Sequence, residues 1–193
     1  FLETSGIPAA WTILGLSALP TGHPSNRGMV GMHGNYAPDL LTNECDLLIA
    51  IGMRFDDRVT GDLNTYAKQA KVIHLELDPA GVNKNVKADV TLLCDCKISL
   101  QALNDKSSTK TYPEWIKRFD DLDVIEKEKV IYGDLNPTKP GLTMGESVEM
   151  INKHSNGDAV IVTDVGQHQM VACRYAKFTQ SKSNVTSGGL GTM

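Results

Sequence analysis

With 193 residues, 41% of them hydrophobic, the chain is long enough to bury one sizeable core and part of a second. Nineteen basic against twenty-three acidic side chains leave a formal charge of −4, too mild and too evenly spread for a nucleic-acid footprint. The longest apolar stretch, Leu47 to Met53, falls far below the roughly 18 residues of a membrane span, and no basic-then-apolar leader precedes it, so small molecules or proteins are the expected partners.

In chain order, residues 1–6 read as the close of a helix with Gly6 at its C-cap, and Ile7 to Thr12 as a strand. Tyr36 to Cys45 reads as a helix. Asp46 to Gly52 is a continuous apolar run ending in Gly, which predicts a central parallel strand buried on both faces. Lys71 to Asp78, stopped by Pro79, and Asp89 to Cys94 are two further strands, and Cys96 to Leu103 is a helix. The alternation predicts an α/β fold with a mostly parallel, Rossmann-like sheet over residues 1–104. Past Asn104 the composition turns polar, and residues 105–142 read as a linker carrying one helix, Pro113 to Val130, with Trp115, Ile116, Phe119 and Leu122 on its sticky side. Its Gly/Pro-punctuated end, Tyr132 to Gly141, reads as extended. A second α/β unit then opens at 143: helix Met144 to His154, strand Asp158 to Val165, helix His168 to Phe178. Phe1 enters without an initiating Met and the last residues stop inside a glycine-rich turn, so both ends read as cut.

Cys45, Cys94, Cys96 and Cys173 show no paired framework and read as reduced thiols; no histidine cluster stands at metal-ligand spacing beside them. Four segments point to ligands. Gly28-Met-Val-Gly-Met-His-Gly34 is a glycine-spaced loop ahead of a helix, which lets backbone amides approach a phosphate, though such loops are often only tight turns. Gly52-Met-Arg-Phe-Asp-Asp-Arg-Val-Thr-Gly61 follows the strongest strand, where open α/β sheets bind ligands; its two arginines can hold phosphate or carboxylate, or be neutralised by their own acids. Leu75-Glu-Leu-Asp-Pro79 ends a strand on an acid of the kind that accepts from ribose hydroxyls, or that simply caps a turn. Asp164-Val-Gly-Gln-His-Gln169, with Ser187-Gly-Gly-Leu-Gly-Thr-Met193, again presents glycine and polar groups at a strand end, a place for a diphosphate.

Together, Gly31-Met-His-Gly34, Arg54-Phe-Asp-Asp-Arg-Val-Thr-Gly61, Val165-Gly-Gln-His-Gln169 and Thr186-Ser-Gly-Gly-Leu-Gly-Thr-Met193 resemble, in order and over essentially the whole chain, the large catalytic subunit of the acetohydroxyacid (acetolactate) synthases. That family condenses two 2-oxo acids with loss of CO2, in branched-chain amino acid biosynthesis, using thiamine diphosphate, FAD and Mg2+. The resemblance implies that residues 1–104 are most of a central FAD-binding domain lacking its first strand, and that 143–193 open the domain that binds the diphosphate. It implies that Thr12, Ile13 and Leu14 line the flavin, Val30, Gly31, Met32, His33 and Gly34 wrap it, and Gly52, Met53, Arg54, Asp56, Arg58 and Val59 hold it. Glu76, Leu77, Asp95 and Cys96 would meet its adenosine half. Arg58 is the one residue with an implied catalytic task, receiving the carboxylate of the second 2-oxo acid. Because the condensation moves no net electrons, the flavin is implied to be structural. Val165, Gly166, Gln167 and His168 would touch the diphosphate, and Gly191 and Met193 would form the turn beneath the thiazolium.

By the same resemblance, the glutamate that activates the aminopyrimidine and the triple-glycine flavin loop would precede Phe1, and the Mg2+ ligands would follow Met193. No metal ligand is therefore assigned within this stretch, which alone is expected to be inactive. Gly81 departs from relatives that carry a side chain near the adenosine. The implied partners are a second catalytic subunit, giving a homodimer or higher, and in some members a regulatory small subunit, in bacterial cytoplasm or an organelle. Two rivals stand beside this reading. A glyoxylate carboligase-like thiamine enzyme shares the domains, and a non-enzymatic dinucleotide-binding module would require a Gly-x-Gly-x-x-Gly loop after its first strand.

Overall fold

Apolar runs without alternation become parallel strands here, as the sequence predicts, and the strand ends carry the glycine loops. The computed structural model describes residues 1–188 and is mixed α/β, its strands paired in parallel throughout. Helix α1 (Leu2–Ser5) closes on Gly6 in the left-handed region (φ 69°). Strand β1 (Ala9–Trp11) pairs with β2 (Asn26–Met29), with an irregularity between Ala9 and Trp11. Helix α2 (Tyr36–Thr42) leads to β3 (Leu47–Ile51), and the short α3 (Asp57–Thr60) follows it. Strands β4 (Lys71–Glu76) and β5 (Val90–Leu93) complete a sheet of order β3-β4-β5. Helix α4 (Cys96–Lys106) starts at Asp95, whose carboxylate accepts from the Lys97 amide.

Two expectations change. The run Asp46 to Gly52 was expected at the sheet's centre, yet among the described strands β3 lies on the edge, with Leu47 42% and Ile51 40% exposed. A continuous apolar run reports that both faces can be covered, not the strand's rank in the sheet. The central strand of this sheet is β4, where Val72, His74 and Leu75 are buried. Second, the stretch read as extended from Tyr132 begins as helix. Helix α5 (Pro113–Glu126) runs on through a π-helical stretch, Lys127–Ile131, into α6 (Tyr132–Leu135). Only Asn136 onward leaves the helix, up to Thr143, where a capping box with Glu146 starts α7 (Met144–Ser155).

The sticky side of α5 packs on α2. Phe119 joins Ala37 and Leu41 in a core cluster flanked by Trp115 and Leu122, and the Trp115 and Phe119 rings meet edge to face at 5.8 Å. Burying a side chain of that size contributes about 1.5–3 kcal/mol. A second cluster, Ala50, Phe55, Tyr66, Ala67 and Val72, lies against the β3-β4-β5 sheet. The later unit is β6 (Ile161–Thr163), α8 (Gln167–Tyr175) and β7 (Asn184–Thr186), with β6 and β7 parallel and in register. It is laced to the first unit by hydrogen bonds: Thr21 N–H donates to the Phe178 carbonyl at 2.8 Å, and the Asn184 side-chain Nδ2 donates to the Ile13 carbonyl at 2.9 Å. Among the described residues no helix is long and apolar enough to cross a membrane.

Candidate cofactor-binding site

The loops after β2, β3 and β4 all leave strand carboxyl ends, and the structure brings two of them into direct contact. Met32 N–H donates to the Arg58 carbonyl at 2.7 Å. Gly31 has φ +112°, and a Cβ there would stand 2.9 Å from that same carbonyl oxygen, so this close approach of loop to loop requires glycine. The Arg58 guanidinium reaches the Met32 sulfur at 4.0 Å. Below the crossing lies a cavity of about 390 Å3 bounded by Gly31, Met32, Asp39, Arg58, Val59 and Tyr66, within the size range of small-ligand pockets.

Asp56 organises the second loop. One carboxylate oxygen accepts from the Arg58 amide, capping α3, and the other pairs with Arg54 Nε at 3.0 Å. Arg54 is therefore neutralised locally. Arg58 is exposed and has no ion pair among the described residues, so its planar fork remains available to an incoming carboxylate or phosphate. Gly52 and Met53 connect this loop to the sheet: Gly52 N–H donates to the Leu75 carbonyl at 2.8 Å, and the Met53 carbonyl lies 2.9 Å from His74 Nε2.

The residues expected to meet an adenosine lie on the same edge. Glu76 turns its carboxylate back to accept from the Leu77 and Asp78 amides at 2.8 and 3.1 Å, leaving the Leu77 side chain exposed. A Cβ on Gly52 would meet the Cys96 sulfur at 3.6 Å, so Asp95 and Cys96 approach the Gly52 loop across the sheet edge. A Cβ on Gly81 would meet Glu76 Cγ at 3.4 Å, ordinary contact, so a side chain at this position would pack beside Glu76 without a clash. Thr12, Ile13 and Leu14 follow β1 beside Val30, whose amide donates to the Trp11 carbonyl at 2.8 Å; His33 and Gly34 close the glycine loop.

In the later unit, Val165 to His168 follow β6. Gly166 has φ +153°, and a Cβ there would stand 2.9 Å from the His168 ring, which folds over it. Asp164 holds this loop to the end of β7, accepting from the Val165 amide at 2.8 Å and from Ser187 Oγ at 3.0 Å. Gly191 and Met193 lie outside the described residues. Leu14 approaches this unit as well, 3.4 Å from where a Cβ on Gly188 would stand.

Sequence reasoning missed the residues that support the glycine loop from below. Asp39 Oδ1 accepts from the Gly31 amide at 2.7 Å, and burial raises the Asp39 pKa from 3.8 to about 6 against the pull of that hydrogen bond. Asn35 Oδ1 accepts from the Met29 amide at 2.9 Å. Buried Glu126 accepts from Asn35 Nδ2 and the Tyr36 amide, and pairs with Arg174, whose other nitrogen donates to the Gly34 carbonyl at 3.0 Å. The contacts of Glu126 with Asn35 and Tyr36 span 91 and 90 residues and that of Arg174 with Gly34 spans 140, beyond any motif. Burial raises the Tyr66, Cys45 and Cys96 pKa values and pushes Cys173 up to about 11, so these three thiols stay protonated at neutral pH. Among the described residues no group of three or more His, Cys, Asp and Glu could hold a metal ion.

A family model, the thiamine pyrophosphate enzyme central domain, matches residues 1–103. The chain is 39% identical over its full length to the acetolactate synthase large subunit of Lactococcus lactis subsp. lactis, covering 33% of that protein. It is 37% identical, again over its full length, to the chloroplastic acetolactate synthase 2 of Nicotiana tabacum, covering 29% of it. It is 39% identical over 97% of its length to the probable acetolactate synthase large subunit of Methanocaldococcus jannaschii, covering 32% of it. The chain thus spans about a third of the length of the curated relatives it matches.

Proposed function

The chain belongs to the thiamine pyrophosphate enzyme family, and from that premise we propose that it is part of an acetolactate synthase large subunit, joining pyruvate to a second 2-oxo acid with loss of CO2. The observation that carries this reading is the rim where the glycine loop crosses Arg58, a guanidinium with no ion pair among the described residues, in a chain similar end to end to acetolactate synthases. The domain division at about 104 and 143 is part of the proposal.

The residues present fit a flavin dinucleotide. The backbone cradle at Gly31, tight enough to require glycine, lies over a cavity that Met32 also lines, and Leu14, Met32 and Leu77 present exposed apolar side chains on the loops after β1, β2 and β4. On this reading Val30 to Gly34 and Gly52 to Val59 hold the isoalloxazine end, while Glu76, Leu77, Asp95 and Cys96 take the adenosine. Val165 to His168 contribute to the diphosphate site of thiamine diphosphate, with Mg2+ bound elsewhere in the protein. When bound, thiamine diphosphate supplies the acidic thiazolium carbon at which 2-oxo acids are decarboxylated. Arg58 orients the second 2-oxo acid through its carboxylate, and Asp56 holds Arg58 in place by capping α3. A homodimer with or without a regulatory subunit, in a prokaryotic cytoplasm or an organelle, fits relatives that include chloroplastic enzymes.

The test is the full-length protein supplied with FAD, thiamine diphosphate and Mg2+. Acetolactate should form from pyruvate, and Arg58→Lys should raise the apparent KM of the second 2-oxo acid by roughly tenfold or more, from about 1.5–3 kcal/mol of lost charged hydrogen bonding. Initial decarboxylation should be nearly unchanged. No acetolactate from the unaltered protein would overturn the activity; equal losses in both steps would overturn the role of Arg58.

A further inference from the structure

We propose that Glu126 and Arg174 are positioning residues that tie the Gly31–Gly34 loop to the helix rising from Gly166, so that the flavin and diphosphate sites take their ligands cooperatively. The inference rests on the cofactor assignments above and adds the connection between them.

The connection is continuous. Helix α8 begins at Gln167, in the diphosphate loop, and carries Arg174 two turns further on, roughly 10 Å along a single rigid element. Arg174 divides its donors between the Glu126 carboxylate and the Gly34 carbonyl, the last residue of the glycine loop. Glu126 is only 6% exposed, and its remaining capacity is taken by Asn35 Nδ2, at 3.3 and 3.4 Å, and by the Tyr36 amide at 3.0 Å. Asn35 in turn holds the Met29 amide before the loop, and Asp39 on the same helix holds the Gly31 amide within it. The glycine loop is therefore gripped at Met29 and Gly34 by side chains that converge on one buried carboxylate, Glu126, and at Gly31 by Asp39 from the neighbouring helix.

A buried carboxylate is tolerated only while its partners are in place. If α8 shifts and withdraws Arg174, Glu126 loses its cation and Gly34 its donor together. If the glycine loop shifts, Glu126 loses Asn35 and Tyr36. Each loop thus holds its ligand-ready position at lower cost when the other is already held, and ligand binding to either one supplies that restraint. Asp39 faces both members of the pair, and Asp123 on α5 faces Glu126 and is itself balanced by Lys127 just past the end of α5. Arg174 is the cation that reaches the Gly34 carbonyl.

In the full-length protein, the dissociation constant of FAD is measured by flavin fluorescence with and without saturating thiamine diphosphate and Mg2+. The unaltered protein should bind FAD more tightly with the second cofactor present, by about fivefold or more, and the reciprocal titration should give the same factor. Glu126→Gln, Arg174→Gln and the double variant, which leaves a neutral pair and no orphaned ion, should each bring that factor close to one. A role in folding alone would weaken both ligands and lower Tm while leaving the factor intact, and that result overturns the proposal. So does a factor of one in the unaltered protein. Tight FAD binding with an unchanged factor in all three variants refutes the coupling but leaves the cofactor assignment standing, whereas no FAD binding at all refutes both.

Discussion

Asp39 supports the Gly31 amide from a site too dry for a comfortable carboxylate, and this makes its titration visible in stability. Desolvation is the larger influence, followed by the opposing Gly31 hydrogen bond, the repulsion of Glu126 and the attraction of Arg174; together they hold the pKa near 6 against 3.8 in water. Between those two values the unfolded chain ionises while the folded one keeps its proton, so this group lowers stability as pH rises through the window and adds nothing further above it. Asp39→Asn keeps an oxygen to accept from Gly31 and removes the titration. Allowing for the solvent that reaches the carboxylate, the variant should gain on the order of 1 kcal/mol, roughly 2–4 °C in Tm, at pH 7 relative to its difference from the parent protein at acid pH. A Tm difference identical at pH 3.5 and pH 7 would count against the assignment. Nothing local marks Asp39 in sequence, because its partners are a backbone amide in a loop and charges contributed by other helices. Phe55 is hidden for a related reason. Inside Arg-Phe-Asp-Asp-Arg it reads as one letter of a charged cluster, yet it is 2% exposed, adopts φ 53° and anchors the core beneath β3 against Tyr66 and His74. The flanking arginines show in the sequence; the inward turn of the aromatic between them does not.

At the scale of elements, apolar periodicity located β3, β4, β5 and β6 and most helices, since a buried parallel strand leaves a signal in its own residues. It passed over β2 and β7. Asn26-Arg-Gly-Met and Asn184-Val-Thr are short and polar and become strands only because β1 and β6 offer them edges. The continuation of the helix past Val130 into α6 was equally silent, because Gly133 and the following Asn-Pro suggested an early stop while contacts with α7 extend the helix. The start of α7 is the opposite case, written plainly as Thr-Met-Gly-Glu. Thr143 Oγ1 accepts from the Glu146 amide at 3.0 Å, Glu146 returns a bond to the Thr143 amide at 2.9 Å, and the Thr143 hydroxyl donates to the Asp134 carbonyl at 2.6 Å. Thr143→Ala removes the cap and the tie to α6 together and should cost about 1–2 kcal/mol in chemical denaturation. Thr143→Ser keeps both bonds and should cost much less. If Ser is as damaging as Ala, the methyl group rather than the hydroxyl is what matters.

At the scale of the whole molecule, the sequence divides the chain at its polar middle, whereas the structure shows the two halves interlocked across that division. Phe178 is 3% exposed; its amide donates to Thr21 Oγ1 at 2.9 Å and its carbonyl accepts from the Thr21 amide. Asn184 bonds to Ser17 and Ile13, Tyr175 to Asp134, and Arg174 to Gly34 and Glu126. Thr138 to Leu142, by contrast, is exposed throughout. A site-specific protease sequence inserted there should be tolerated and cut without unfolding either half. While the linker is intact it keeps the halves at an effective concentration near the millimolar range, so a weak seam would suffice; once it is cut, assembly at micromolar protein requires about 8 kcal/mol from the seam itself. Hydrogen bonds at about 0.5–1.5 kcal/mol each supply part of this. Burial of Phe178 and the Glu126–Arg174 pair must supply much of the remainder. The cut protein should therefore elute as one species in size exclusion at micromolar concentration, while Phe178→Ala, costing about 3–5 kcal/mol, should separate on cutting. Separation of the cut parent protein would show that the linker, rather than the seam, holds the two halves in register.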